Sequence, residues 1–204
     1  DVYIKILCAS TLKLLLIFIL PFVFGIIILR TEIITLLFSR GLFSEQSIKL
    51  AAAPLAFYSI GLIGYGGISI ITRAFYSNGD TITPVRVGLL TILANCVFNL
   101  IFMKFLGHSG IALSTALVGS ANLLLLITFF YKKHLKINLN VLKSFTLKVF
   151  FSSVAANFLL YVYKILFSKR FSLPLFFFSG ILITTIFYLF FLRVTIFRKA
   201  QINI

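Results

Sequence analysis

The sequence predicts an all-α polytopic membrane protein with six transmembrane helices, and three observations carry that prediction. Hydrophobic residues make up 61% of the chain and charged residues 11%, with a mean hydropathy of +1.14. That is far from the mixture of a soluble domain. Six apolar stretches stand out, at 12–29, 48–77, 85–105, 110–131, 145–167 and 173–197. Each reaches the roughly 20 residues that a helix rising about 1.5 Å per residue needs to cross a hydrocarbon core. Finally, the basic residues concentrate between these stretches, as they do when loops set topology.

The first stretch carries Pro21, which removes one backbone hydrogen bond and bends the helix near its middle. Residues 31–43 hold Ile33, Ile34, Leu36, Leu37 and Phe38 but also Glu32 and Arg40. They read either as an extension of that span or as an interfacial helix. Ser44 is placed to cap the next helix, with Glu45 in the first turn where the helix dipole favours an acid. The span at 48–77 contains Pro54 and then Gly61, Gly64, Gly66 and Gly67. Glycines let helices approach closely in lipid, and the same set suits a hinge that bends during transport. Both readings stand.

Asn78-Gly79-Asp80 signals a turn, with Thr83 as N-cap of the third span and Pro84 at its first helical position. Gly107-His108-Ser109-Gly110 is a tight turn that sends the chain straight back. A polar connector at 132–143, holding Lys132, Lys133, His134, Lys136, Asn138 and Asn140, divides the first four helices (1–131) from the last two (144–204). Those last two are rich in Phe and keep Asn157 as their strongly polar mid-span residue. They read as apolar on every face, and so as facing lipid or a lipid tail.

The net charge of +15 belongs to membrane topology rather than to nucleic acid. With both termini in the cytoplasm, twelve of the 19 Lys and Arg residues fall on the cytoplasmic side, which favours that orientation. The N-terminal apolar run has full span length and no small-residue cleavage pattern, so it reads as a retained span. Cys8 and Cys96 have no spacing that suggests a disulfide or a metal site. The four acids, Asp1, Glu32, Glu45 and Asp80, lie outside the expected bilayer core, His108 and His134 lie in loops, and no phosphate-cradling loop is present. The chain therefore reads as a non-enzyme without a cofactor, and without an intramembrane carboxylate for proton coupling.

Intramembrane polar residues are the candidates for function. Asn95 and Asn99 share one helix face at i, i+4, with Thr115 expected at the depth of Asn99 and Asn122 at that of Asn95. The cluster reads as interhelical hydrogen bonding, worth about 0.6 kcal/mol on average in membranes, or as a site for a polar substrate or a hard cation such as Na⁺. Arg73 and Arg86 flank the 78–80 turn. They serve as topology anchors, or they contact the pyrophosphate of a lipid-linked precursor, for which guanidinium geometry is suited.

RAFYSNGDTITPV at 73–85 and GHSGIALSTAL at 107–117, with LLFSRGLF at 36–43 and YSIGLIG at 58–64, resemble the C-terminal half of the lipid II flippases. These form the MurJ/MviN family of the multidrug/oligosaccharidyl-lipid/polysaccharide (MOP) exporter superfamily, and the two further spans after 131 favour this branch. The resemblance implies helices nine to fourteen of a fourteen-helix transporter. Residues 1–131 then supply four helices of its second lobe, and 144–204 supply two helices that form a lipid-tail groove. It implies translocation of lipid II, the undecaprenyl-linked peptidoglycan precursor, across the bacterial inner membrane by alternating access, in the service of cell wall biogenesis. The implied partners are lipid II, membrane lipids and the missing N-terminal helices. The resemblance also places a Na⁺ site on Asn95, Asn99, the backbone carbonyl of Ile111, and Thr115, with Asn99 where an acid would strengthen it. Coupling to Na⁺ or to the membrane potential would belong to the parent protein. Two alternatives stay open: export of another lipid-linked glycan or a drug, and a non-transporting fragment with a structural or assembly role. A chain opening at Asp1 rather than methionine is expected to be part of a longer product.

The orientation is testable with single cysteines and an impermeant thiol reagent. Labelling is expected from outside at positions 39 and 168, and at 77 and 138 only after permeabilisation; the reverse pattern overturns it.

Overall fold

A computed structural model describes residues 2–40, 43–134, 139–168 and 170–197, the side chains of 2–5, 139–141 and 196–197 excepted. Of the residues read above, Asp1, Lys5, Gly41, Leu42, Lys136, Asn138, Asn140, Lys169, Arg198 and Lys199 lie outside the described residues or side chains. Six helices follow in order: α1 (Val2–Phe38), α2 (Glu45–Ser77), α3 (Ile82–Leu106), α4 (His108–Lys133), α5 (Leu139–Phe167) and α6 (Leu173–Leu192). A π-helical turn, Arg193–Phe197, continues α6. Each helix contains a segment long and apolar enough to cross a membrane, from 23 to 33 residues. The all-α expectation holds.

Local chemistry explains most of the boundaries. Residues 31–38 extend the first span as helix, the first of the two readings, and Glu32 sits in α1. Its carboxylate pairs with Lys164 Nζ of α5 at 2.9 Å, and the same ammonium donates to the Ile28 carbonyl at 2.7 Å. Ser44 caps α2 as expected, accepting from the Ser47 N–H at 3.2 Å. The cap of α3 is different. Thr83 lies inside the first turn, and its N–H and hydroxyl donate to the Asp80 carboxylate at 2.9 and 2.7 Å. A carboxylate three residues upstream is the stronger acceptor, and it is charged where the helix dipole favours a negative group.

The chain divides into two compact units. The first joins Asp1–Leu16 to Ala53–Leu142. Its core is Cys8 and Leu12 of α1, Ile71, Ala74 and Phe75 of α2, Val87 of α3, and Leu126 and Phe130 of α4. Alongside that core α2 and α4 cross closely. A Cβ on Gly64 would stand 2.9 Å from the backbone of Gly119 and Ser120, and one on Gly61 would stand 3.2 Å from the Cα of Ala116. Gly67 faces the side chain of Leu123. Three glycines at i, i+3, i+6 thus form one face laid on α4, the arrangement that packing in lipid selects. The α3–α4 hairpin closes as tightly, because a Cβ on Gly110 would fall on the backbone of Phe102 and Met103. Gly107 makes the turn at φ 56°, a conformation that L side chains rarely adopt.

The second unit joins Ile17–Ala52 to Lys143–Ile204. Leu29, Leu160 and Phe176 form its buried cluster, with Tyr163 stacked on Phe167 and Phe176 at centroid distances of 5.0 and 5.3 Å. Here the structure corrects the sequence. α5 and α6 are not apolar on every face, because Ser152, Ser153, Asn157, Thr184 and Tyr188 are buried. Two of the hydroxyls hide their polarity by bonding their own helix. Ser153 donates to Val149 O at 2.8 Å and Thr184 to Gly180 O at 2.7 Å, so little desolvation cost remains. The phenylalanines lie largely on the opposite side, with Phe151, Phe158, Phe178, Phe187 and Phe190 exposed.

Gly64→Ala drives a methyl group into the α4 backbone, and overpacking of this kind costs about 1–3 kcal/mol. Gly88→Ala meets open space. Thermal unfolding in detergent is expected to show a lowered midpoint for Gly64→Ala and an unchanged or raised one for Gly88→Ala.

Candidate functional site

The first unit gathers polar groups in two places. One lies on the facing sides of α3 and α4. Gly110 sets their register against Phe102, and one helical turn further along α4 the Ser114 hydroxyl donates to Asn95 Oδ1 at 3.2 Å. Ser114 is fully buried. Thr115, its neighbour, turns its hydroxyl onto the Ile111 carbonyl at 2.8 Å, while its own carbonyl accepts from Tyr65 Oη of α2 at 3.5 Å. Asn99 and Asn122 each keep a buried Oδ1 with no hydrogen-bond partner. An unsatisfied buried acceptor costs about 1–3 kcal/mol. These groups are amide, hydroxyl and carbonyl oxygens, two of them without a partner, and include no carboxylate. Chemically that set suits a weakly held monovalent cation, a water molecule or a polar donor group. The sequence reading missed Ser114, although a signal was present: it stands at i+4 from Gly110 and so shares the face that α3 covers.

The other place is the α2–α3 turn. Asp80 accepts from both the amide and the hydroxyl of Thr83, and its Oδ2 also meets Lys133 Nζ at 3.4 Å and His134 Nε2 at 3.2 Å. Lys133 Nζ donates to the Thr83 hydroxyl at 2.6 Å as well. The His134 ring packs against Phe75 and Phe130, with centroids 5.5 and 5.6 Å apart. One carboxylate thus fastens the turn to the end of α4. The Thr83 bonds first, then His134 and Lys133, hold the Asp80 carboxyl well below the usual carboxylate range. Arg73 and Arg86 stand on either side of this turn, both exposed, and among the described residues neither pairs with an acid. The sequence flagged them but not the Asp80–Lys133–His134 group, whose members lie more than 50 positions apart.

A model of the family described as lipid II flippase MurJ matches residues 3–186. The chain belongs to this family. It is 38% identical over 115 residues to the probable lipid II flippase MurJ of Rickettsia prowazekii (strain Madrid E), covering 56% of this chain and 23% of that protein. It is 34% identical over 137 residues to the lipid II flippase MurJ of Thermosipho africanus (strain TCF52B), covering 65% of this chain and 29% of that one. A solved structure titled lipid II flippase MurJ, inward closed conformation, superposes with a TM-score of 0.82 at 26% identity, over 98% of this chain and 40% of that chain. The chain thus spans about a quarter of the length of these relatives and two fifths of the solved structure. The family is one of multi-pass membrane transporters, not enzymes.

The Asp80 group gives a pH prediction. Its carboxyl pKa is lower in the folded chain than in the unfolded one, where it is about 3.9. The carboxylate's stabilisation is therefore complete above that value and is lost as pH falls through the lower folded one. The stability gap between the wild-type chain and Asp80→Asn is expected to be constant from about pH 5 to 8 and to shrink below about pH 4. Midpoints measured across that range check it, and a gap that widens on acidification overturns it.

Proposed function

We propose that this chain is the C-terminal portion of a flippase that carries lipid II, the undecaprenyl-linked peptidoglycan precursor, across the bacterial inner membrane by alternating access. The observation that carries the reading is the match to the MurJ family along residues 3–186 together with the superposition on a MurJ structure over nearly the whole chain. In this reading residues 1–131 belong to the second lobe, 132–143 connect on the cytoplasmic side, and 144–204 line a groove for the polyprenyl tail. Both termini are cytoplasmic. The remaining helices of the same transporter are the chain's principal partner.

Within that frame Arg73 and Arg86 are assigned to the pyrophosphate. Their guanidinium groups are exposed on either side of a fixed turn, and a bidentate fork suits phosphate oxygens. The oxygens of Asn95, Asn99, Ile111 and Thr115 are assigned to a coupling cation, supported by the unpaired Oδ1 of Asn99. Asn122, whose Oδ1 is also unpaired, extends that polar stripe. Pro54 and the glycines Gly61, Gly64, Gly66 and Gly67 are assigned to a bend in α2 during the transport cycle, with the contact on α4 as its pivot.

A strain depleted of its own lipid II flippase tests the reading. Rescue of growth, with lipid II at the outer face, is expected when this chain is co-expressed with the other eight helices of a MurJ protein, and not from the chain alone. Arg73→Ala with Arg86→Ala is expected to lower the amount of lipid II reaching the outer face at least several-fold. Two inserted halves that never restore transport overturn the assignment.

A further inference from the structure

Proline in the middle of a spanning helix usually leaves a soft point. Pro21 of α1 lacks the N–H that would bond the Ile17 carbonyl one turn earlier, and its ring pushes that carbonyl aside. In hydrocarbon there is no water to take the freed acceptor. The second unit supplies a donor from a distant part of the chain. Tyr188 Oη, from the C-terminal part of α6, donates to the Ile17 carbonyl at 2.6 Å. A second side chain acts one turn further on. Asn157 Nδ2 of α5 donates to the Pro21 carbonyl at 3.2 Å while holding its own Ser153 carbonyl at 3.0 Å. Tyr188 and Asn157 are 6% and 2% exposed, so neither group can trade its bond for solvent.

We propose that Tyr188 and Asn157 are positioning residues that clamp the proline bend of α1, turning what would be a hinge at Pro21 into a fixed angle set by the two C-terminal helices. α5 and α6 thereby have a task besides any contact with lipid: they fix the direction in which α1 continues from Ile17 to Phe38. The phenol donates where the proline has removed a donor. The amide braces the carbonyl at the bend itself. The assignment rests on the second unit alone and does not depend on which substrate the parent transporter carries.

The decisive property is that Tyr188 is needed only while residue 21 is proline. Spin labels at positions 18 and 30, both exposed on α1, report the angle across Pro21 in the full chain in nanodiscs, with Cys8 and Cys96 replaced by alanine. Tyr188→Phe is expected to broaden the inter-label distance distribution at least about twofold and to lower the unfolding midpoint. Combining Tyr188→Phe with Pro21→Ala returns an N–H to the Ile17 carbonyl, and is expected to restore both the narrow distribution and the midpoint. If Tyr188→Phe alone fails to fold, recovery of folding in the double variant supports the clamp equally. A distribution as narrow as wild type in Tyr188→Phe overturns it. So does broadening, or failure to fold, that persists in the double variant, because a merely structural role for the phenol would not depend on residue 21.

Discussion

A backbone carbonyl or amide inside hydrocarbon has no water to bond, and an unpaired one costs several kcal/mol. That constraint makes every span helical. It also dictates what happens wherever the sequence interrupts a helix's own hydrogen bonding. Pro21 is the clear case. Its missing N–H is replaced by a phenol 171 positions ahead of Ile17, and the bend is braced by an amide from a third helix. The same constraint makes buried and half-buried serines and threonines acceptable, since each can return its hydroxyl to the carbonyl one turn back. Ser153, Thr184, Thr115 and Ser120 all do so. Polarity in these spans is folded inward.

With no hydrophobic force to hold one apolar helix against another in lipid, contact must come from shape. The α2–α4 crossing shows this. Gly61, Gly64 and Gly67 lie along one face, and the backbone of α4 comes close enough that a methyl group at Gly64 has nowhere to go. Gly110 does the same for the α3–α4 hairpin. Tight seams of this kind fix register, and register decides which polar groups meet. Ser114 reaches Asn95 because Gly110 has already set α4 against α3.

Beyond the spans, charge takes over as the fastener. Asp80 caps α3 and holds the end of α4 through Lys133 and His134, close to the phenylalanines of the first unit's core. Arg73 and Arg86 lie on either side of this point, with no acid paired to either among the described residues. Such an anchor orders the backbone that joins the two arginine-bearing helices, so less conformational entropy remains to be lost there.

The sequence by itself determined the fold class, the presence of six spans, the turns at 78–80 and at Gly107, and the family, although α1 runs well beyond the expected stretch at both ends and α4 begins already at His108. These depend on hydropathy summed over about 20 residues and on local turn chemistry, both of which are properties of neighbouring positions. It also marked Asn95, Asn99, Thr115 and Asn122 as polar groups in apolar surroundings, and Arg73 and Arg86 as basic flanks. Only the tertiary structure decided what each of these meets. Asn95 is satisfied by Ser114, while Asn99 and Asn122 keep unpaired oxygens. Thr83 gave way to Asp80 as the cap, and Glu32, on the helical extension of the first span, pairs with Lys164. The inward polar stripe of α5 and α6 was invisible to averaged hydropathy, because a serine or an asparagine among phenylalanines barely shifts the mean. The partners involved lie 19 to 171 positions apart, and helices with this little amphipathic periodicity do not announce which face will be covered. That choice was made by glycine seams and by the few donors able to reach a freed carbonyl.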